Sequence, residues 1–295
     1  MVRLLKAISL FGLMLLSACA PTMRITPGEI PPPTVPSSEL KNEAEYYVQN
    51  HLQEQSYREI KSGPELKRIS GIVERLSKAA GYPPRTFPVH LADAGEEVNA
   101  AAFNGASIVV YKKLADKVKS DDELATVLGH EMGHIIAKHY EEQEEENSRA
   151  TAVGVGSAVL GTVASVATSV AGYGGLSGVA GDAAATTTGM VGYGAFVGSF
   201  SRRQEYEADH IGLLIMAKAG YDPRVAPEFW KRSDEIFGAS SSQVGAFFNT
   251  HPAETDRQDA LEEAMPLAMS HYHPTPAKAT SSGGKKKEKA AKDAG

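Results

Sequence analysis

Residues Thr126–Tyr140 read TVLGHEMGHIIAKHY. Valine, leucine, methionine and isoleucine run through the stretch at helical spacing, and among them stand His130, Glu131 and His134. Asp121-Asp122-Glu123 opens the helix, with acids at the positive end of its dipole. Residues four apart on a helix lie one above the other on the same face. His130 and His134 can therefore aim two imidazole nitrogens at one point, with Glu131 beside them. This is the His-Glu-x-x-His arrangement, in which two histidines bind zinc and the carboxylate takes a proton from water at the metal. A spacing of two or five would turn the second ring elsewhere. Two helix histidines satisfied by backbone or water are the plainer reading. Against it, three polar groups on an apolar helix cost stability unless they are paired or hold a metal.

A catalytic zinc needs a third protein ligand and an open position for water. SRRQEYEADHIG, Ser201–Gly212, supplies the candidates. Glu205 and Asp209 are four apart on an expected helix running to Lys218. One carboxylate can bind the metal and the other can accept the free N–H of a ligating histidine. On spacing alone an ordinary charged helix face explains these residues as well, and Glu207 is an equal candidate. His139, five residues past His134, falls off the metal face of a continuous helix and reads as structural.

The chain has 295 residues, 42% hydrophobic and 22% charged, with a net charge of -6 and a pI near 5.9. It is long enough for one sizeable core. It carries no basic surface of the kind that nucleic-acid binding requires. The single cysteine, Cys19, excludes an internal disulfide. Residues 1–18, MVRLLKAISLFGLMLLSA, read as a secretory signal: Arg3 and Lys6, then an apolar run too short to span a bilayer. Leu16-Ser17-Ala18-Cys19 resembles a bacterial lipobox, which makes Cys19 the lipidated first residue of the mature chain. A plain signal peptide with a chance cysteine is the alternative, and the sole cysteine standing at the required place argues against it. Ala20, which is not Asp, favours the outer membrane by resemblance to enterobacterial sorting. Localisation is thus expected to be periplasmic and lipid-anchored.

Residues 19–38 read as a Pro-rich tether, 39–270 as one domain and 271–295 as a disordered Lys-rich tail. Helical pattern runs from Glu39 to about Ala80, broken at Gly63-Pro64, with Tyr46, Tyr47, Leu52, Ile69 and Leu76 among the expected buried positions. Short strands are expected at Phe87–Leu91, Val98–Phe103 and Ser107–Tyr111, the last two joined by a hairpin at Asn104-Gly105. Further helices are expected at Arg224–Phe237 and Glu254–Met265. From 150 to 200 about a dozen glycines punctuate Ala, Val, Ser and Thr, and Asp182 is the only charged residue. That stretch reads either as a lid or membrane-touching hairpin, or as a small-residue helix pair packed on the histidine helix.

HEMGH followed by SRRQEYEAD resembles the HtpX and CAAX-prenyl-protease type of zinc endopeptidase, and within it the soluble periplasmic lipoproteins of the BepA and LoiP kind. The resemblance covers about residues 40 to 265. It implies an α+β fold, a predominantly α-helical zincin (gluzincin) with a small edge-exposed β-sheet. It implies one Zn2+ per chain held by His130, His134 and Glu205, with Glu131 as the catalytic base and Asp209 as the hydrogen-bond partner of a ligand. VNAAAFNGASIVVYKKL resembles the family's hairpin, whose edge strand, here Asn99, Ala100 and Ala101, binds the substrate backbone. Gly105-Ala106 stands where the family usually has two glycines, which puts the turn geometry in question. NTHPAETDR resembles a further family segment, making His251 a candidate gate or fourth ligand and Arg257 a candidate oxyanion stabiliser. A histidine before proline is ordinarily just a loop residue. The implied activity is endoproteolysis of misfolded or misassembled envelope proteins, with outer-membrane assembly machinery as a candidate partner. A chaperone-like lipoprotein with a gated or structural zinc is the rival.

Overall fold

The computed structural model describes residues 23–146, 148–149, 200–238, 247, 251 and 255–274. The expected signal peptide, Cys19, the Gly/Ala-rich stretch at 150–199 and the Lys-rich tail from 275 onward lie outside the described residues. In chain order the elements are α1 (Ser38–Glu54), β1 (Arg58–Ile60), α2 (Pro64–Ala79), β2 (Val89–Asp93), β3 (Ala100–Ala102) and β4 (Ile108–Tyr111). They continue with α3 (Lys112–Lys117), α4 (Asp121–Ile136), α5 (Arg202–Lys218), α6 (Val225–Lys231), α7 (Ser233–Phe237) and α8 (Thr255–His271). This is a mostly helical α+β arrangement with a small open sheet.

The sheet runs β1-β2-β4-β3. β2 and β4 are parallel, with Leu91 opposite Val110, and the outer strands are antiparallel to them. Side chains alternate between faces. Ala92, Val109 and Tyr111 meet Ala44, Val48 and Leu52 of α1 on one face, while Leu91, Ile108 and Val110 join the main core with α2, α4 and α5 on the other. All of β4 is buried because both faces are covered, which is why SIVVY reads as an unbroken apolar run. β3 is left as an edge.

Three local departures have physical causes. The helix expected up to Gly63 ends at Glu54, because Ser56 takes φ 58° and releases the chain to pair as β1. Tyr46 is 62% exposed, not buried, since it lies off the stripe of Ala44, Val48 and Leu52 that α1 turns to the sheet. α8 continues through Pro266 to His271. Pro266 sits on the exposed face, where water can take the carbonyl it orphans, and Leu261, Ala264 and Ala268 bury the opposite face. In the hairpin turn Ala106 takes φ 76° beside Gly105 at φ 105°. A side chain at Gly105 would strike the Leu40 carbonyl oxygen.

α4 and α5 cross with their backbones nearly touching. A Cβ on Gly129 would stand 3.0 Å from the Gly212 carbonyl oxygen, and one on Gly133 only 2.5 Å from that of Ala208. The two helices that carry the candidate ligands are brought together by these small residues. α5 itself is started by a capping box, in which Ser201 and Gln204 satisfy each other's backbone N–H.

Candidate active site

Helical spacing on α4 does what the sequence requires of it: His130 Nε2 and His134 Nε2 lie 3.1 Å apart. α5 brings Glu205 alongside, its carboxylate 3.6 Å from His130 Nε2 and 3.4 Å from His134 Nε2. His251 completes the group, with Nδ1 at 3.1 Å from His130 Nε2 and 3.0 Å from Glu205 Oε1. These four side chains are the group among the described residues whose donor atoms could share a metal ion, and all four are buried. Donors about 2 Å from a tetrahedral zinc are about 3.3 Å from one another, close to the separations here. Two imidazoles, a carboxylate and a further imidazole are also the ligand chemistry zinc favours. The residues fit a zinc ion.

The surroundings hold the donors in place. Asp209 Oδ1 lies 2.8 Å from His130 Nδ1, so the ring nitrogen turned away from the cluster donates to a carboxylate. Arg257 reaches from α8 to both carboxylates: Nη1 is 2.6 Å from Glu205 Oε2, Nε is 2.7 Å from Asp209 Oδ2 and Nη2 is 2.8 Å from Asp209 Oδ1. The guanidinium is thus committed to these two carboxylates in this arrangement rather than offered to a substrate oxyanion. Its planar fork suits two carboxylates at once. Trp230 lies under it and edge-on to His130. Phe200 stacks on His134 with centroids 3.7 Å apart, and Phe247 stacks on His251 at 4.5 Å.

Burial sets the ionisation. It opposes the charged form of Glu205, yet Arg257, His251 and His130 together hold that carboxyl well below its usual range. Burial likewise opposes charge on Asp209, and Arg257 and His130 overcome it. Burial pushes His134 well below its ordinary value, which keeps it neutral as a ligand must be. Burial would lower His251 too, but Glu205 and Glu131 raise it. Glu131 is pushed up by burial, against the pull of His251 and His130.

Glu131 faces two ways. Its Oε2 accepts from the backbone N–H of Ala102 at 2.9 Å. Its Oε1 is buried without a hydrogen-bond partner, 3.4 Å from His251 Nε2. Ala102 belongs to the edge strand. Within the β3–β4 pair Tyr111 N donates to Asn99 O and Phe103 N donates to Ser107 O. By the alternation of an antiparallel pair, Ala100 and Ala102 turn their backbone groups to the open edge and Ala101 turns its own toward β4.

His139 stays outside the donor group, as expected, but it does not point away from it. α4 ends at Ile136 with Ala137 as its cap, Lys138 takes φ 60° and a new helical run begins at 139. The turn carries the His139 ring back against His134, with Nδ1 to Nδ1 at 3.0 Å. Glu207, the equal candidate on spacing, points elsewhere: its Oε2 is 3.0 Å from His139 Nε2. No helical periodicity could have revealed either contact, because the break at Lys138 is a backbone event at a non-glycine residue.

The sequence model of peptidase family M48 matches residues 65–265. The chain belongs to peptidase family M48. Membership agrees with the resemblance carried by HEMGH and SRRQEYEAD, and makes the chain a member of a zinc metalloprotease family. Among curated M48-type relatives, a beta-barrel assembly-enhancing protease of Yersinia pestis is 32% identical over 211 residues, 70% of this chain and 40% of that protein. A mitochondrial metalloendopeptidase OMA1 of Arabidopsis thaliana is 34% identical over 168 residues, 57% of this chain and 29% of the relative. The OMA1 of Schizosaccharomyces pombe is 28% identical over 201 residues, 68% of this chain and 53% of the relative. The chain spans only about half or less of each. Among the described residues no helix is long and apolar enough to cross a membrane.

Proposed function

We propose that this M48 chain is a zinc-dependent endopeptidase of a bacterial cell envelope, acting on misfolded or misassembled proteins. The observation that carries the reading is Glu131. One oxygen is tied to the edge strand that would bind substrate, and the other is buried without a hydrogen-bond partner and beside the donor cluster. His130, His134 and Glu205 would hold the zinc. When bound there, zinc would supply a Lewis acid to polarise a peptide carbonyl and bring the pKa of water toward 7. Glu131 Oε1 then accepts the water proton and delivers it to the leaving amine. The Ala102 N–H keeps that carboxylate turned toward the cleft. A substrate strand pairs with the open-edge backbone groups of Ala100 and the carbonyl of Ala102, whose N–H is held by Glu131, in the stretch Asn99, Ala100 and Ala101 onward. Such pairing reads backbone more than side chains, which suits unfolded chains of many sequences. Relatives named as beta-barrel assembly-enhancing proteases support an envelope setting and a link to outer-membrane assembly machinery. A lipid on Cys19 would anchor the chain to the outer membrane from its periplasmic side.

A second reading rests on His251. Its Nδ1 stands at the fourth corner of the donor group, where a catalytic site keeps room for water. In that state the site is closed, and a chaperone-like role with latent cleavage follows. Digestion of unfolded casein with zinc separates the two, using the parent, Glu131→Gln and His251→Ala. Cleavage by the parent and none by Glu131→Gln establishes the peptidase. Cleavage only after His251→Ala establishes a gated one. No cleavage by either sinks the proteolytic reading.

A further inference from the structure

His139 and Glu207 have no part in the chemistry above, yet they form a chain that begins at a metal ligand. His134 turns Nε2 to the donor cluster, 3.4 Å from Glu205 Oε1. A ligating imidazole must then carry its proton on Nδ1. That nitrogen meets His139 Nδ1 at 3.0 Å. Two N–H groups cannot share one hydrogen bond, so His139 accepts at Nδ1 and carries its own proton on Nε2. His139 Nε2 in turn lies 3.0 Å from Glu207 Oε2, which accepts. Every ring nitrogen has one role and the direction of donation is set from ring to ring to carboxylate. His139 and Glu207 are 0% and 1% exposed, so water does not compete.

Glu207 is itself fixed. Arg203 Nη1 donates to Oε2 at 2.8 Å, and the backbone N–H of Ile25 donates to Oε1 at 3.2 Å, joined there by that of Arg24. Arg24 also pairs with Glu142. The segment just after Cys19 therefore closes the far end of the chain, although the sequence reads it as a plain tether.

We propose that His139 and Glu207 are positioning residues for the metal: they set the tautomer and the ring plane of His134, as Asp209 does for His130 by direct contact. The inference rests on His134 being a zinc ligand. The plainer alternative is a buried histidine satisfied in the core, which would affect stability and leave metal affinity alone.

The test uses the full chain and its zinc dissociation constant, from competition with a chromophoric chelator, together with the ligand-field spectrum of the cobalt-substituted protein. His139→Phe keeps the ring and removes both nitrogens. Glu207→Gln keeps the shape and a weaker, neutral acceptor, so it remains informative if His139→Phe does not fold. Zinc affinity should fall about 10–100-fold in His139→Phe and by a smaller factor in Glu207→Gln, with shifted cobalt bands in both. A folded Glu207→Gln with the parent's zinc affinity and cobalt spectrum overturns the proposal, whatever happens to its melting temperature. His134→Ala is the reference: a parent that binds zinc no better than this variant would overturn the metal reading itself, a distinct result.

Discussion

Gly133→Ala isolates the role of the α4–α5 crossing. The added methyl would stand 2.5 Å from the Ala208 carbonyl oxygen and 2.8 Å from its Cα. Both are backbone atoms and cannot rotate aside, so the helices must part by roughly 1 Å to regain ordinary contact. Overpacking of this kind costs about 1–3 kcal/mol, and the better helix propensity of alanine returns about 1 kcal/mol. The net loss of stability is at most about 2 kcal/mol, or a melting temperature lower by up to about 8 °C in a domain of this size. The site responds more strongly, because Ala208 neighbours Asp209 and lies three residues from Glu205. A displacement of roughly 1 Å at a catalytic group lowers rate about 100-fold. Gly71→Ala on α2 is the control: a Cβ there meets nothing within 4 Å. It should raise stability by up to about 1 kcal/mol and leave turnover alone. The assays are thermal unfolding of the zinc-loaded protein and kcat/KM on an unfolded protein substrate. A Gly133→Ala variant whose kcat/KM stays within threefold of the parent would refute the argument that this contact sets the distance between Glu205 and the histidines.

Arg257→Met should leave Glu205 and Asp209 buried without their cation and lower the stability of the zinc-free protein by about 3–5 kcal/mol in urea unfolding; a loss under 1 kcal/mol would show that the carboxylates do not depend on it. Zinc binds the folded state alone, so zinc at about 1,000 times its dissociation constant should add about 4 kcal/mol to stability, and a chelator should remove it. Acid should weaken the zinc-free protein in two steps. The lowered His134 makes the unfolded state bind the extra proton as pH falls below 6.5, and the lowered Glu205 and Asp209 lose their contribution as pH falls below 4.5 and 3.8 and through their folded values. His251 is raised, so its contribution is already full below 6.5 and is lost only on the alkaline side. Urea midpoints check the sign below pH 4.5, where the raised His251 and Glu131 no longer change their contribution: a midpoint that rises on further acidification contradicts it.

What could be read from the sequence follows from which contacts are local. His130 and His134 share one helix face by spacing alone, and the apolar run SIVVY and the Asn104-Gly105 turn specify the β3–β4 hairpin. β1 could not be found this way, since REI is too short to show a period and pairs only because Ser56 takes a positive φ. The dual hold of Arg257 is a long-range contact between α8 and α5, and no spacing announces it.

Glu205 and Glu207 mark the limit most clearly. They are two apart on one helix and equivalent by composition, yet rotation about the helix axis sends them to different histidines. Glu205 meets His130, His134 and His251. Glu207 meets His139 and the N-terminal segment. A helix rotates by about 200° over two residues, so only one of the pair can face the donor cluster. The other must either meet solvent or find a second partner. At 1% exposure Glu207 cannot stay charged by solvation. Burial opposes its ionised form, and the His139 ring and the Arg24 and Ile25 amides keep it ionised all the same. The second carboxylate thus has its own demand for donors. The break at Lys138 and the docking of the chain after Cys19 supply them.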